Sequence, residues 1–198
     1  MIVKGGYEMA TKEEEIIMAT IACIEKYGIE GATIRRIGMQ AGVNSASINY
    51  YFRSKDALIQ RVLDIALGNA FDFENFSGSE GFPPKKRLAH IMEGMIAGAL
   101  QYPNLTKAFF SELLLKDNYA SPMVQKCNAF LSEIERGLTA EYPDRDQACI
   151  RMALMQVASS TFLFMGLFPR FFTAYPEIDL SDEKTRRAYV EGLVEKLF

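Results

Sequence analysis

The chain has no tryptophan, a single histidine and only three cysteines among its 198 residues. Cys23, Cys127 and Cys149 are far apart in the sequence, so neither a disulfide framework nor a zinc site is expected. No apolar run approaches the roughly 20 residues that a membrane-spanning helix needs. The N-terminal stretch MIVKGGYEMATKEEE also lacks the apolar core of a signal peptide. These absences predict a soluble, cytoplasmic protein without a membrane partner.

The chain also lacks the residue patterns of an enzyme. There is no glycine-rich phosphate loop and no nucleophile elbow. Glu133 and Glu135 are two residues apart and therefore point to different sides of a helix, so they do not form a catalytic pair. His90 is the only histidine, and we expect it to be an ordinary buried or surface side chain rather than a metal ligand. We therefore predict no catalytic residues, no bound metal and no cofactor.

Helical periodicity, by contrast, runs through nearly every segment, and no long alternating strand pattern appears. Capping residues mark the expected helix starts at Thr11, Thr33, Asn44 or Ser45, Ser54 and Ser181, and prolines start or end several others. The predicted helices cover residues 11–27, 33–41, 45–52, 55–71, 85–102, 144–168 and 182–197, with two more beginning at Pro103 and near Pro122. The fold class is therefore all-α, with about nine helices.

Residues 28–59 carry a more specific pattern. Two short helices flank Ala41-Gly42-Val43, in which Gly42 tolerates the positive φ of a sharp turn and Val43 is apolar enough to pack inwards. On the second short helix, Ile48 shares one face with Tyr51 or Phe52. This arrangement predicts a helix-turn-helix, the type of motif that places a short helix in the major groove of DNA.

The outward face of that second helix is small and polar, as a base-reading surface requires. Serine and asparagine can hydrogen-bond to base edges, and alanine can contact a thymine methyl group. The candidate DNA-facing residues are Ser45, Ala46, Ser47, Asn49 and Tyr50, the last of which fits either a phosphate contact or a partly buried aromatic.

Phosphate contacts are expected on either side of this face. Thr33 and Arg35 stand at the start of the preceding helix, where backbone N–H groups can receive an anion. Lys55 lies in the first turn of the following helix, and a phosphate there would offset its unfavourable interaction with the helix dipole. Residues 33–61 carry a net charge of +4, whereas the whole chain carries −3, so the remainder is acidic. A basic patch on an acidic body suits local DNA contact, although many solvated helix faces look similar.

These residues closely resemble the DNA-binding domain of the tetracycline-repressor (TetR) family. The matching pieces, within about residues 12–63, are Gly28, Gly31-Ala32-Thr33, Ile37, Ala41-Gly42-Val43, Ile48, Tyr50-Tyr51-Phe52 and Ser54-Lys55-Asp56-Ala57-Leu58. Two positions depart from the family pattern, which often has tyrosine at the position of Asn49 and histidine at that of Tyr51. The resemblance implies a three-helix DNA-binding domain over residues 8–54 and a helical ligand-binding and dimerisation domain over residues 55–198.

The resemblance also implies a function and partners. The protein would be a homodimeric transcription regulator, usually a repressor, which binds a palindromic double-stranded DNA operator and is released by a small apolar or amphipathic effector. Dimer contacts are expected from the last two long helices, through Met152, Met155, Ser159, Leu163, Tyr189, Leu193 and Leu197. The expected cavity walls are Met92, Met95, Ile96, Phe109, Phe110, Leu113, Phe130 and Phe162. Each of these side chains also fits an ordinary core, and a monomer could bury the helix stripes internally.

A second hypothesis comes from another class of protein. The chain would be a helical ligand-binding or protein-interaction module whose helix-turn-helix does not bind DNA. Salt-dependent binding to a palindromic duplex separates the two hypotheses, because phosphate contacts make affinity fall steeply with salt.

Overall fold

The structure is a computed structural model that describes residues 11–76, 78–79, 81–162 and 179–198. Within these ranges it has no strand, one short 3-10 helix at Phe73–Phe76 and nine α-helices. The helices are α1 (Lys12–Gly31), α2 (Ile34–Ala41), α3 (Ser45–Phe52), α4 (Lys55–Ala70), α5 (Pro84–Gln101), α6 (Pro103–Lys116), α7 (Pro122–Glu141), α8 (Gln147–Phe162) and α9 (Glu183–Leu197). The predicted all-α fold is confirmed. None of the described helices is long and apolar enough to cross a membrane.

Capping side chains begin the N-terminal helices at the predicted positions. Thr11 Oγ1 accepts a hydrogen bond from Glu14 N at 3.2 Å, and the Glu14 carboxylate accepts one from Thr11 N at 2.8 Å, which together form a capping box. The side chains that cap the next three helices belong to Thr33, Asn44 and Ser54. Asn44, rather than Ser45, therefore starts α3.

Three differences from the predicted helix boundaries have a clear structural description, and several other boundaries shift by one residue. Gly28 breaks α1 with φ 72° and ψ 170°, but the chain makes a further helical turn to Gly31. Asp182, not Ser181, caps α9, because its carboxylate accepts a hydrogen bond from Thr185 N at 2.8 Å. Helix α8 begins at Gln147 instead of residue 144. The predicted continuation of this helix to residue 168 lies outside the described residues.

Two apolar cores organise the described part of the chain. The first core is formed by helices α1, α2, α3 and α4, and Leu105 of α6 is buried in it at 1% exposure. The second joins α5, α7, α8 and α9 around Phe130, Ile150 and Val190. Helix α4 begins at the predicted domain boundary and contributes Leu58 and Val62 to the first core. The helix-turn-helix therefore packs against α1 and α4, and these two helices pack in turn against α6.

Candidate nucleic-acid interface

The turn between α2 and α3 is closed by a close backbone approach. Gly42 adopts a left-handed conformation with φ 66° and ψ 30°, and Val43 N donates a hydrogen bond to Gly38 O at 2.9 Å. A Cβ atom at Gly38 would lie only 2.7 Å from Val43 O, so this position has no room for a side chain. The sequence analysis identified Gly42 but missed Gly38, since the close approach is visible only when both helices are in place.

The inward face of α3 is made by Ile48 and Phe52. Ile48 is fully buried and Phe52 is 7% exposed, whereas Tyr51 remains 44% exposed. Of the two alternatives for the inner aromatic, the structure selects Phe52. The Tyr51 ring instead packs edge-on against Tyr50, with 5.3 Å between ring centroids.

The outward face of α3 holds the predicted base-facing residues. Ser45, Ala46, Asn49 and Tyr50 are exposed, and Tyr50 reaches 83% exposure. Ser47 differs from them because it is half-buried and its hydroxyl donates to the Asn44 side-chain oxygen at 3.1 Å. This face is therefore open to a large partner, with Ser47 held at its N-terminal edge by the helix cap.

The predicted phosphate-binding positions meet at the corner between α1 and α2. Thr33 is exposed and caps α2, accepting a hydrogen bond from Arg36 N at 3.3 Å. Lys55, at the start of α4, donates from Nζ to Glu30 O at 3.4 Å, and Glu30 is only three residues before Thr33. The Lys55 side chain thus reaches from the start of α4 to the end of α1, just before α2 begins. Backbone N–H groups at such helix starts favour anions.

Two exposed cations next to this corner form no ion pair with an acidic side chain in the part of the chain that the structure describes. Arg35 lies in the first turn of α2, and Arg53 lies between α3 and α4 with an unusual φ of 65°. The sequence analysis had counted Arg53 in the local charge without giving it a position. Both guanidinium groups are available to an anionic partner beside the face of α3.

Arg36 has a different role, which the sequence analysis missed. Its guanidinium carbon lies 4.4 Å from the centroid of the Tyr27 ring, and Nη1 donates to Gly31 O at 2.7 Å. A cation over an aromatic ring contributes about 0.5–1 kcal/mol at an exposed site. Arg36 thereby ties the start of α2 to the end of α1 and holds the corner that carries Thr33.

An inner cavity of about 310 Å³ lies between α4, α5, α6 and the start of α7. Three of the predicted wall residues, Met95, Phe109 and Phe110, line it. Other predicted walls lie elsewhere: Met92 and Ile96 are buried in the second core, Phe130 lines a separate groove, and half-buried Leu113 is not among the described lining residues. The side chain of Phe162 lies outside the described part of the chain. Residues of both cores, such as Leu105 and Ala99, contribute to the cavity wall.

A carboxylate from α1 connects this cavity to the helix-turn-helix. Glu25 Oε1 accepts from Leu105 N at 2.7 Å and Oε2 from Asn104 N at 3.2 Å, so Glu25 caps the start of α6. The Asn104 side chain returns a hydrogen bond to Glu25 O at 2.8 Å. Leu105 also lines the cavity, so these bonds join a residue of the cavity wall to α1.

The predicted dimer residues fall into two groups. On α8, Met152 and Met155 are 56% and 60% exposed, and Ser159 is exposed beside them. On α9, Tyr189, Leu193 and Leu197 are half-buried and pack against the second core of the same chain. Leu163 lies outside the described residues. The α8 stripe is thus an apolar surface, whereas much of the α9 stripe already packs internally.

Comparison with known proteins points to one family. Residues 16–62 match the family model described as bacterial regulatory proteins, tetR family. The chain is 26% identical to the transcriptional regulator RutR of Escherichia coli K12 over 115 residues, which cover 56% of this chain and 52% of RutR. It is 35% identical to the regulator BetI of Pectobacterium carotovorum over 86 residues, which cover 42% of this chain and 44% of BetI. The matched region thus spans about half the length of these curated relatives, and both are transcriptional regulators rather than enzymes.

Solved structures agree in fold over nearly the whole chain. A TetR-like regulator from Rhodococcus sp. RHA1 superposes with a TM-score of 0.63 at 14% identity, covering 96% of this chain and 97% of that one. FadR from Bacillus subtilis, determined in complex with stearoyl-CoA, gives a TM-score of 0.61 at 19% identity, covering 92% and 96%. At these identities the likeness shows the fold alone. The match over residues 16–62 places this N-terminal part of the chain in the tetR family of bacterial regulatory proteins.

Proposed function

We propose that the protein regulates transcription by binding operator DNA through α3. The observation that carries this proposal is the exposed polar face of α3, together with Lys55 at the start of α4, whose side chain reaches the end of α1 just before α2. A helix with small and polar outward residues fits the major groove, and the helix starts beside it suit backbone phosphates. The match over residues 16–62 to a family of regulators supports the same function.

In this proposal, some residues of the interface contact bases and others contact phosphates. Ser45, Ala46 and Asn49 contact base edges, with Asn49 suited to adenine. Ser47 supports them from the cap, where its hydroxyl is already hydrogen-bonded. The residues that contact phosphates are Thr33, Arg35, Tyr50, Arg53 and Lys55. Phosphate contacts hold the helix in register, and base contacts provide the sequence preference.

The binding form is a homodimer that reads a palindromic operator. The exposed Met152 and Met155 stripe on α8 supplies an apolar surface for a second copy, because such side chains gain free energy when they leave water. The half-buried residues Tyr189, Leu193 and Leu197 of α9 complete the interface with the parts that their own core leaves exposed. Two copies of α3 would then enter successive major grooves about 34 Å apart.

A small apolar or amphipathic effector in the inner cavity releases the DNA, which makes the protein a repressor. FadR of Bacillus subtilis, of similar fold, was determined with stearoyl-CoA, an amphipathic molecule. Met95, Phe109 and Phe110 provide an apolar wall here, and the Glu25 cap on α6 links that wall to α1. The effector and the operator favour different arrangements of the two DNA-binding domains, so each weakens binding of the other by the same factor.

The test is to select duplexes from random DNA with the full-length protein and then measure their affinity at several salt concentrations. A palindromic consensus and a steep, linear fall of log affinity with log salt are expected. Failure to enrich any duplex, together with preserved binding of small molecules, would contradict DNA binding and favour a helical ligand-binding or interaction module.

A further inference from the structure

A second concave surface, which we call the α5–α7 groove, lies apart from the inner cavity. It has a volume of about 670 Å³ and lies between α5, α7 and the aromatic segment that follows α4. The α5 residues that line the groove are Pro84, Arg87, Leu88 and Ile91, whereas other residues of α5 line the inner cavity. Among the described lining residues, Phe71 alone belongs to both, so the two spaces are neighbours separated by α5 and this ring.

The floor of the groove is apolar and fixed. Leu88, Ile91 and Leu138 are at most 2% exposed, and Phe130 is 3% exposed. The Phe73 ring stacks on Phe130 with 4.4 Å between centroids. A ligand resting on this floor would cover apolar surface without requiring the core to rearrange.

Helix α7 gives the groove its length. Its lining residues recur at helical spacing from Lys126 to Leu138, which corresponds to about 18 Å at 1.5 Å per residue. Two of them are small, Ala129 and Gly137, and a Cβ atom at Gly137 would meet nothing within 4 Å. The groove can therefore accept an extended apolar chain, and its volume lies in the range of about 300–1,000 Å³ that is usual for small-molecule sites.

Cations dominate the rim of the groove. The charged lining residues are Arg87, Lys126 and Glu133, and the Glu133 carboxylate is already paired with Arg136 at 2.9 Å. Arg87 and Lys126 are exposed, and neither forms an ion pair with an acidic side chain in the described part of the chain. An apolar floor under two uncompensated cations complements a molecule with an apolar tail and an anionic head.

We infer that the α5–α7 groove binds an amphipathic anion of small-molecule size, with its tail along α7 and its head at Arg87 and Lys126. This site is additional to the effector cavity and does not depend on DNA binding.

The experiment uses the full-length protein and two glycine variants that fill one space each. Gly137→Leu places a side chain in the α5–α7 groove, and Gly98→Leu places one in the inner cavity, where a Cβ atom likewise meets nothing within 4 Å. Both glycines lie inside helices, so both changes favour the helical backbone. Decanoate, well below its micelle concentration, is titrated into each protein by calorimetry. We expect Gly98→Leu, in which the groove alone is open, to retain a decanoate site and the Gly98→Leu/Gly137→Leu double variant to lose it. Absence of a site in Gly98→Leu, or equal binding by Gly98→Leu and the double variant, would overturn the inference.

The head group is tested in the Gly98→Leu background, where the groove alone is open. Arg87→Gln and Lys126→Gln should each weaken decanoate binding by about two- to fivefold, the usual range for an exposed charge pair. Lys107→Gln, which removes an exposed cation from α6, is the matched control and should leave affinity unchanged. Equal binding of decanoate, 1-decanol and decyltrimethylammonium would contradict recognition of an anion.

Two further measurements keep the result interpretable. If Gly137→Leu loses helical circular dichroism, Ala129→Phe provides a second way to fill the groove, because Ala129 is an exposed lining residue. Light scattering then gives the oligomeric state of each variant. A change of oligomeric state on filling the groove would identify the occupant as a second copy of the chain and would overturn the inference of a small molecule.

Discussion

The Glu25 carboxylate on α1 accepts a hydrogen bond from Leu105 N, the third residue of α6, at 2.7 Å. These residues are 80 positions apart in the chain. A remote side chain thus replaces the local cap that most helices carry, and it does so where α6 borders the inner cavity. The start of α6 can move only if this bond moves with it or breaks.

Replacement of Glu25 by alanine should therefore destabilise the protein and weaken the link between effector and DNA. The loss of a cap costs about 0.5–2 kcal/mol. Urea unfolding measures the first effect, and the ratio of operator affinities with and without effector measures the second. Glu25→Gln keeps an oxygen that can accept from Leu105 N, so it should lie between wild type and Glu25→Ala. Unchanged stability in Glu25→Ala would show that water replaces the cap without cost.

Gly38→Ala should damage the helix-turn-helix. Its Cβ atom would approach Val43 O to 2.7 Å, so α2 and α3 must separate or the turn must distort. We expect a loss of about 1–3 kcal/mol in stability, as for overpacking of a close contact, together with weaker operator binding. Gly68→Ala on α4 is the control, because a Cβ atom there meets nothing within 4 Å. Alanine at that position should be neutral or stabilising by up to about 1 kcal/mol. Equal effects of the two variants in thermal unfolding would refute the steric explanation.

The two classes of DNA contact predict different consequences of substitution. Lys55→Ala should weaken binding to all duplexes alike and reduce the slope of log affinity against log salt by about one. Asn49→Ala should change the preferred sequence and cost about 1–3 kcal/mol on the selected operator only. Fluorescence anisotropy with the selected and a scrambled duplex separates these outcomes. A uniform loss on both duplexes for Asn49→Ala would exclude base contact by that side chain.

The α8 stripe makes a prediction about assembly. Met155 is 60% exposed, and Met155→Glu would place a charge in the proposed interface. Light scattering should then report a shift from dimer to monomer at micromolar protein. Leu115→Glu on α6 is the matched control, since Leu115 is 82% exposed and lies outside the proposed interface. A dimer that survives Met155→Glu but not Leu115→Glu would move the interface to the end of α6.

The cysteines offer a test of the packing of α7. Burial raises the pKa of the Cys127 thiol to about 11. At pH 8 only about 0.1% of this group is thiolate, the form that reacts with alkylating agents. Cys149 is exposed near the start of α8. Iodoacetamide at pH 8 should therefore modify Cys149 well before Cys127, as followed by mass spectrometry of peptides. Reaction of both at the same rate in the folded protein would contradict the burial of Cys127.

The sequence predicted most of what depends on neighbours in the chain. Thr11, Thr33 and Ser54 were identified as caps because a cap needs only a side-chain oxygen and the N–H groups two or three residues ahead. Gly42 was placed in the turn because few other residues tolerate its φ of 66°. The helix-turn-helix between them follows from such local rules, and so does the outward position of Asn49 and Tyr50.

Other features could not be predicted from the sequence because they depend on tertiary packing. The choice between Tyr51 and Phe52, the close approach at Gly38, the Glu25 cap and the α5–α7 groove each depend on how helices pack. The sequence alone determined an all-helical protein with a helix-turn-helix near its N-terminus, because helix caps and turn glycines act over a few residues. Only the tertiary structure decided what Lys55 contacts, how α1 holds α6 and where the cavities open, because those contacts join residues as much as 80 positions apart.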